Sequence, residues 1–220
     1  MRYVVAALVG LSLTLSTTVH AQEVMQLGPV LVVTVVDPKP ERAGAGQQLF
    51  MADRGGRKGQ YVVVTSSATN LQAAGTTSTV YNLLSPKTVP TLPQVNVLGM
   101  HYLKIRPERS EAFERFVAEK LHPTVGNLRP DLRVLYYKAV KGADAGNYVA
   151  LFALTKVSRD KYWPGGSDSD ELRAAFSPAV KALTTELATY LVEGSYAVDP
   201  KLAAAVYESR EWTDYVLVQK

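Results

Sequence analysis

The sequence predicts an α+β protein, a ferredoxin-like split βαβ with an antiparallel sheet, preceded by a poorly patterned, β-containing N-terminal extension. Three observations predict it. From residue 97 onward, strand-like runs and helical periodicities alternate in the order β-α-β-β-α-(α)-β. Before residue 96 neither period is sustained. The 220 residues are 47% hydrophobic, enough to bury a core and too many for a disordered or collagen-like chain. The domain reading is 1–21, 22–95 and 96–220.

Residues 1–21 read as a signal peptide. Arg2 supplies the positive start, Tyr3 to Leu15 is apolar and uncharged, and Val19-His20-Ala21 ends in a small residue before Gln22. The apolar run is shorter than the about 20 residues a membrane span needs. The expectation is therefore a secreted or periplasmic protein with no membrane span once the signal is cleaved.

In residues 22–95, Val30 to Val36 is a β-branched run suited to a buried strand. Asp37-Pro38-Lys39-Pro40 ends it, because proline cannot continue a ladder. Glu41 to Ala52 reads as a weak helix, in which Gly44 and Gly46 each cost about 1 kcal/mol relative to alanine. A loop at Arg54-Gly55-Gly56-Arg57-Lys58-Gly59 leads to a second strand, Gln60 to Thr65. Most of 66–95 is neutral, rich in Thr, Ser, Ala, Gly and Pro, and reads as an irregular connector over the main domain.

Residues 96–220 are better patterned. Val97 to Ile105 is a strand, and Pro107 opens a helix with Glu108 and Glu111 in its first turn. Phe113, Phe116, Val117 and Leu121 share one apolar face. Leu132 to Val140 and Asn147 to Thr155 are strands joined by a hairpin turn at 141–146. Ser158 to Trp163 forms a short turn before Pro164-Gly165-Gly166. A long helix from Ser167 then carries Leu172, Phe176, Val180, Leu183, Leu187 and Leu191 at helical spacing, kinked at Pro178. Asp199-Pro200 starts a short helix and Trp212 to Gln219 is the last strand. Helices on one face leave the sheet's other face to be covered, by a second identical sheet or in part by the N-terminal segment.

A short repeat runs across the two regions. Lys39-Pro40-Glu41-Arg42 follows one strand, and Arg106-Pro107-Glu108-Arg109 follows another. Four matched residues fit a remnant βαβ half-module over 30–65, and chance produces such a match as readily.

Composition removes several chemistries. With no cysteine there are no disulfides, zinc-thiolate sites or cysteine nucleophiles. No nucleotide-binding, zinc or nucleophile-elbow motif occurs, so no metal is expected. The formal charge of +4 forms no stripe, and Arg54, Arg57 and Lys58 make a small basic loop of the solvated kind, so nucleic acid is not expected.

The strand Leu98-Gly99-Met100-His101-Tyr102-Leu103-Lys104-Ile105, the helix Ser110-Glu111-Ala112-Phe113-Glu114-Arg115-Phe116 and the step Leu121-His122-Pro123 carry a resemblance. So do the strand-hairpin-strand of 132–155 and Tyr162-Trp163-Pro164. Together residues 97–220 resemble the dimeric α/β-barrel superfamily, with its antibiotic-biosynthesis-monooxygenase-like, EthD-like and NIPSNAP-like domains. The resemblance implies two sheets meeting around a ligand cavity in a homodimer. Its activities range from cofactor-free oxygenation of aromatics and isomerisation to haem chemistry, and fold alone selects none of them. No cofactor is expected, since the haem-binding residue set cannot be mapped here.

Candidate site residues follow from chemistry. His101 and His122 are candidate bases, imidazole titrating near neutral pH. Against this, a strand histidine can simply be satisfied by neighbours, and one at a helix end is favoured by the free carbonyls. Tyr102, Tyr136, Tyr137, Tyr148, Phe152 and Trp163 could line a site for a planar apolar ligand, or serve as packing. Three functions remain open: a small-molecule-binding protein, a cofactor-independent oxygenase or isomerase acting on a cyclic substrate, and a structural or interaction module.

Overall fold

A computed structural model describes residues 27–41, 43–66, 77–87, 89, 95–128, 133–162, 182–183, 185–192 and 212–218. Eight strands run through them: β1 (Val30–Val36), β2 (Gln48–Gly55), β3 (Tyr61–Thr65), β4 (Thr77–Ser85), β5 (Val97–Leu103), β6 (Arg133–Lys141), β7 (Tyr148–Leu154) and β8 (Trp212–Leu217). They close into a barrel in the order β1-β3-β2-β8-β5-β7-β6-β4, and every pairing is antiparallel.

This corrects the expected ferredoxin-like split βαβ, and with it the resemblance to dimeric α/β-barrel domains. The described residues form a closed eight-stranded antiparallel β-barrel with few helices among them. The error lies in the N-terminal extension. It holds four strands where two were expected, because the segment read as a weak helix ends in β2 and the segment read as a connector contains β4. Those two strands pair with β8 and β6, so they close the barrel. The inner face of the β5–β8 sheet is thereby covered within one chain.

The two halves of the barrel repeat one another. The first half has the order β2-β3-β1-β4 and the second β6-β7-β5-β8. On β1 and β4 the pairs are Leu31 with Tyr81, Val32 with Val80 and Thr34 with Ser78. On β5 and β8 they are Leu98 with Tyr215, Gly99 with Asp214 and His101 with Trp212. Tyr81 and Tyr215 then meet Ala139 and Ala52 across the two seams. The hairpins match as well: Gly59 N–H donates to Ala52 O at 2.7 Å, and Gly146 N–H to Ala139 O at 2.8 Å. In this alignment Lys39-Pro40-Glu41 falls on Arg106-Pro107-Glu108, the repeat seen in the sequence.

Alternation along each strand sets the layers. Leu31, Val33, Leu98, Met100, Tyr102, Leu135, Tyr137, Leu151 and Tyr215 point inward and join one buried cluster. Outside the second half lie the helices. After a single turn at Pro107–Arg109, α1 (Ser110–Phe116) runs through a π-helical turn at Val117–Leu121 into α2 (His122–Leu128), and α3 (Lys156–Tyr162) follows β7. The expected face of Phe113, Phe116, Val117 and Leu121 is buried against Val134, Tyr136, Tyr148 and Ala150, with Leu183, Leu187 and Tyr190 beside it. Glu114 fixes this layer, accepting from Lys138 Nζ and from the Tyr148 hydroxyl, each at 2.7 Å. Burial raises its carboxyl, and these two bonds outweigh that and hold it below its ordinary pKa. The expected signal peptide, most of the expected connector, and the expected Pro178 kink and Asp199-Pro200 helix lie outside the described residues.

Candidate functional site

The residues singled out from sequence divide between the two faces of the barrel wall. Tyr102 and Tyr137 point inward. The Tyr137 hydroxyl donates to Gly28 O at 2.9 Å, and burial raises its pKa. Tyr136 and Tyr148 face outward into the helix layer. His122 starts α2 instead of ending a helix. Its ring meets Tyr136 edge-on at 6.0 Å, and burial lowers its pKa. Trp163 lies outside the described residues. The aromatic set therefore lines no common pocket among the described residues.

His101 and Phe152 do come together, on the outer face of the second half, around a residue the sequence reading passed over. Trp212 stands between them, its ring centroid 5.4 Å from His101 and 5.1 Å from Phe152. Its indole N–H donates to Asp214 Oδ1 at 2.9 Å. Two residues apart on β8, Trp212 and Asp214 share a face. Gly99, opposite Asp214, makes room for the cluster: a Cβ there would lie 3.2 Å from Asp214 Oδ1 and 3.2 Å from Trp212 Cζ2. An acid in the middle of an apolar strand, Trp212-Thr213-Asp214-Tyr215-Val216-Leu217, was the available signal.

The electrostatics of this cluster are set by burial. Asp214 is 1% exposed, and its Oδ2 has no hydrogen-bond partner among the described residues. Burial pushes its carboxyl up to about 6, against the indole bond and nearby Arg159 and Arg54, while Asp53 adds to the rise. His101 is 7% exposed, and burial pushes its imidazole down to about 4. It is therefore neutral at pH 7. Beside the cluster, buried Arg159 on α3 donates to Asp53 Oδ2 at 2.7 Å and to Asp160 Oδ1 at 2.9 Å. Arg54 reaches Asp160 at 3.0 Å.

The equivalent face of the first half is bland. In place of Gly99, His101, Trp212, Asp214 and Phe152 it has Val32, Thr34, Ser78, Val80 and Thr65. Thr34 and Ser78 share a hydroxyl–hydroxyl bond of 2.9 Å where His101 and Trp212 meet. A buried acid and imidazole cost stability that the Val/Thr version avoids, so among the described residues of these two equivalent faces the cluster with chemical capability is on the second half.

Among the described residues, no group of three His, Asp or Glu side chains could hold a metal ion. No helix of the described residues is long and apolar enough to cross a membrane. The fold and this cluster define an eight-stranded barrel with an aromatic and acidic outer site on one half. No protein-family model and no curated protein matches the chain.

Proposed function

We propose that the protein binds a small, flat, largely apolar molecule on the outer face of the second half-barrel, outside the cytoplasm. One observation carries this reading: Asp214, buried with an oxygen unpartnered among the described residues, stands where the repeat has Val80. Phe152 and Trp212 offer aromatic surface for a planar ring, and Asp214 Oδ2 awaits a donor such as a hydroxyl. Residues 1–21 support the location, with a positive start, an apolar run and a small-residue step before Gln22.

Calorimetry with 2-naphthol tests the reading. Saturable binding is expected in the full protein, weakened at least tenfold by Asp214→Val, which installs the repeat's own residue. Binding that survives both Asp214→Val and Gly99→Val sinks the proposal, as does its absence from the unaltered protein.

A second reading, a cofactor-independent oxygenase or isomerase on a cyclic substrate, is favoured by one feature. A carboxyl poised near 6 can take and return a proton close to neutral pH, better than an imidazole near 4. That enzyme loses turnover in Asp214→Asn and keeps most of it in His122→Ala.

A further inference from the structure

We propose that Arg57 and Asp144 select the partner at the interface between the two half-barrels: they let unlike halves join and reject a like half from a second copy of the chain. The closed barrel joins its halves along two seams, β2 with β8 and β4 with β6.

The seams by themselves do not tell one half from the other. Tyr215 lies opposite Ala52 in one, and Tyr81 opposite Ala139 in the other. Arg54 faces Asp214 where Lys141 faces Val80. Two second halves set against one another would keep the tyrosine–alanine pairs and bring Lys141 opposite Asp214, a favourable match. A chain made of two such repeats therefore carries strand edges that a second copy also fits. Discrimination between partners so alike needs a repulsive contact in the wrong pairing.

The hairpins supply that contact. Arg57 and Asp144 hold the same place, two residues before the matching glycines Gly59 and Gly146. Each reaches a tyrosine of the other half: Tyr81 donates to Asp144 Oδ2 at 3.1 Å, and the Tyr215 hydroxyl bonds Arg57. The two also meet each other, Arg57 Nη2 lying 3.8 Å from Asp144 Oδ1. Equivalent residues of two repeats that meet in this way lie on the axis relating the repeats. Exchanging either half for a copy of the other then sets Arg57 against Arg57, or Asp144 against Asp144. The side chains are 29% and 23% exposed, so water screens that repulsion only in part. The seat of the cation is one-sided as well. The Arg57 guanidinium lies 4.0 Å from the centroid of the Tyr102 ring, and the counterpart of Tyr102 in the first half is Val35.

Exchanging the two residues in the full protein tests the proposal. Arg57→Asp and Asp144→Arg each install the other half's residue and create a like pair. Each should lower the melting temperature by at least about 3 °C. The double variant rebuilds an opposite pair in reverse and should regain half or more of the summed loss. Partner choice is read by refolding the two single variants together from urea, one of them isotope-labelled, followed by native mass spectrometry. Opposite charges then meet only between chains. A species holding one chain of each variant is therefore expected severalfold above the share formed when labelled and unlabelled parent are refolded together. A single variant too unstable to fold alone should be rescued in that mixture. Strictly additive losses in the double variant overturn the proposal, leaving Arg57 as packing on Tyr102. A mixed species no more abundant than in the parental control overturns it too, because the pair then stabilises the barrel without choosing its halves.

Discussion

Asp214 on β8 occupies the position that Val80 occupies on β4: the first lies opposite Gly99 on β5, the second opposite Val32 on β1. One barrel thus contains both a charged and an apolar solution to the same packing problem, and the difference between them is measurable.

The Asp214 carboxyl sits near 6 in the fold against about 3.9 in an unfolded chain. The stability it contributes is complete below pH 4 and is lost as the pH rises through 6. At about 1.4 kcal/mol per pKa unit, the loss by pH 8 is up to about 3 kcal/mol. Asp214→Asn keeps an acceptor for the Trp212 indole and removes that slope. It should therefore be about 1–3 kcal/mol more stable than the parent at pH 8, and no more stable at pH 4. Urea unfolding at the two pH values decides it, and an equal effect at both contradicts the buried-carboxylate account.

His101 should tilt the curve the other way. Its imidazole is held down at about 4, whereas the unfolded chain takes up the proton near 6.5. Stability tied to this residue is present above 6.5 and is lost as the pH falls toward 4. In the parent the two slopes oppose one another, giving a nearly level profile between 4 and 6. His101→Gln should unmask the Asp214 slope, with a melting temperature that rises steadily on acidification over that interval. A His101 titration by NMR with a midpoint near 6.5 contradicts the prediction.

Gly55 and Gly142 occupy matching places at the ends of β2 and β6, with φ of +89° and +101°. A Cβ at Gly55 would lie 2.1 Å from Trp212 O, and one at Gly142 would lie 2.0 Å from Ser78 O. Backbone blocks both, and an L residue at such φ is strained by about 1–2 kcal/mol before any clash. Gly55→Ala and Gly142→Ala should each cost more than about 2 kcal/mol, and by similar amounts, since Trp212 and Ser78 are themselves equivalent. Denaturant midpoints measure both, and one tolerant site breaks the equivalence of the seams.

The second half was legible because its strands are dense in apolar residues and its helix carries Phe113, Phe116, Val117 and Leu121 at one spacing. The first half was not. In β2, Leu49 and Phe50 are both buried, one outward and one inward, so no clean alternation separated this strand from a helix. In β4, Thr77, Ser78 and Thr79 are weakly hydrophobic, and their strand character comes from pairing with β1 and β6. The match between Lys39 and Arg106 suggested a βαβ half-module over 30–65, whereas the described residues of that half form four strands, β1 to β4, with no helix among them. Of the outer site, His101 and Phe152 were visible. Trp212 and Asp214 were hidden inside a strand whose partners are distant in sequence. Arg57 looked like part of a solvated loop because nothing local announces the Tyr102 ring beneath it.

Gly99 should prove to be coupled to Asp214. Alanine at 99 brings a methyl group within 3.2 Å of both Asp214 Oδ1 and Trp212 Cζ2, and 3.4 Å from Phe152 Cβ. Those neighbours must give by a few tenths of an ångström, which disturbs the 2.9 Å indole bond. Gly99→Ala should therefore destabilise the protein by about 1 kcal/mol and shift Trp212 emission, read in a Trp163→Phe background. With Asp214→Ala the carboxyl no longer opposes the methyl, so the same change should cost less. Contacting residues show coupling of about 0.5–3 kcal/mol in such a cycle. Strict additivity shows that the space at Gly99 is not held for the carboxyl, and the reading of this face as a built site fails with it.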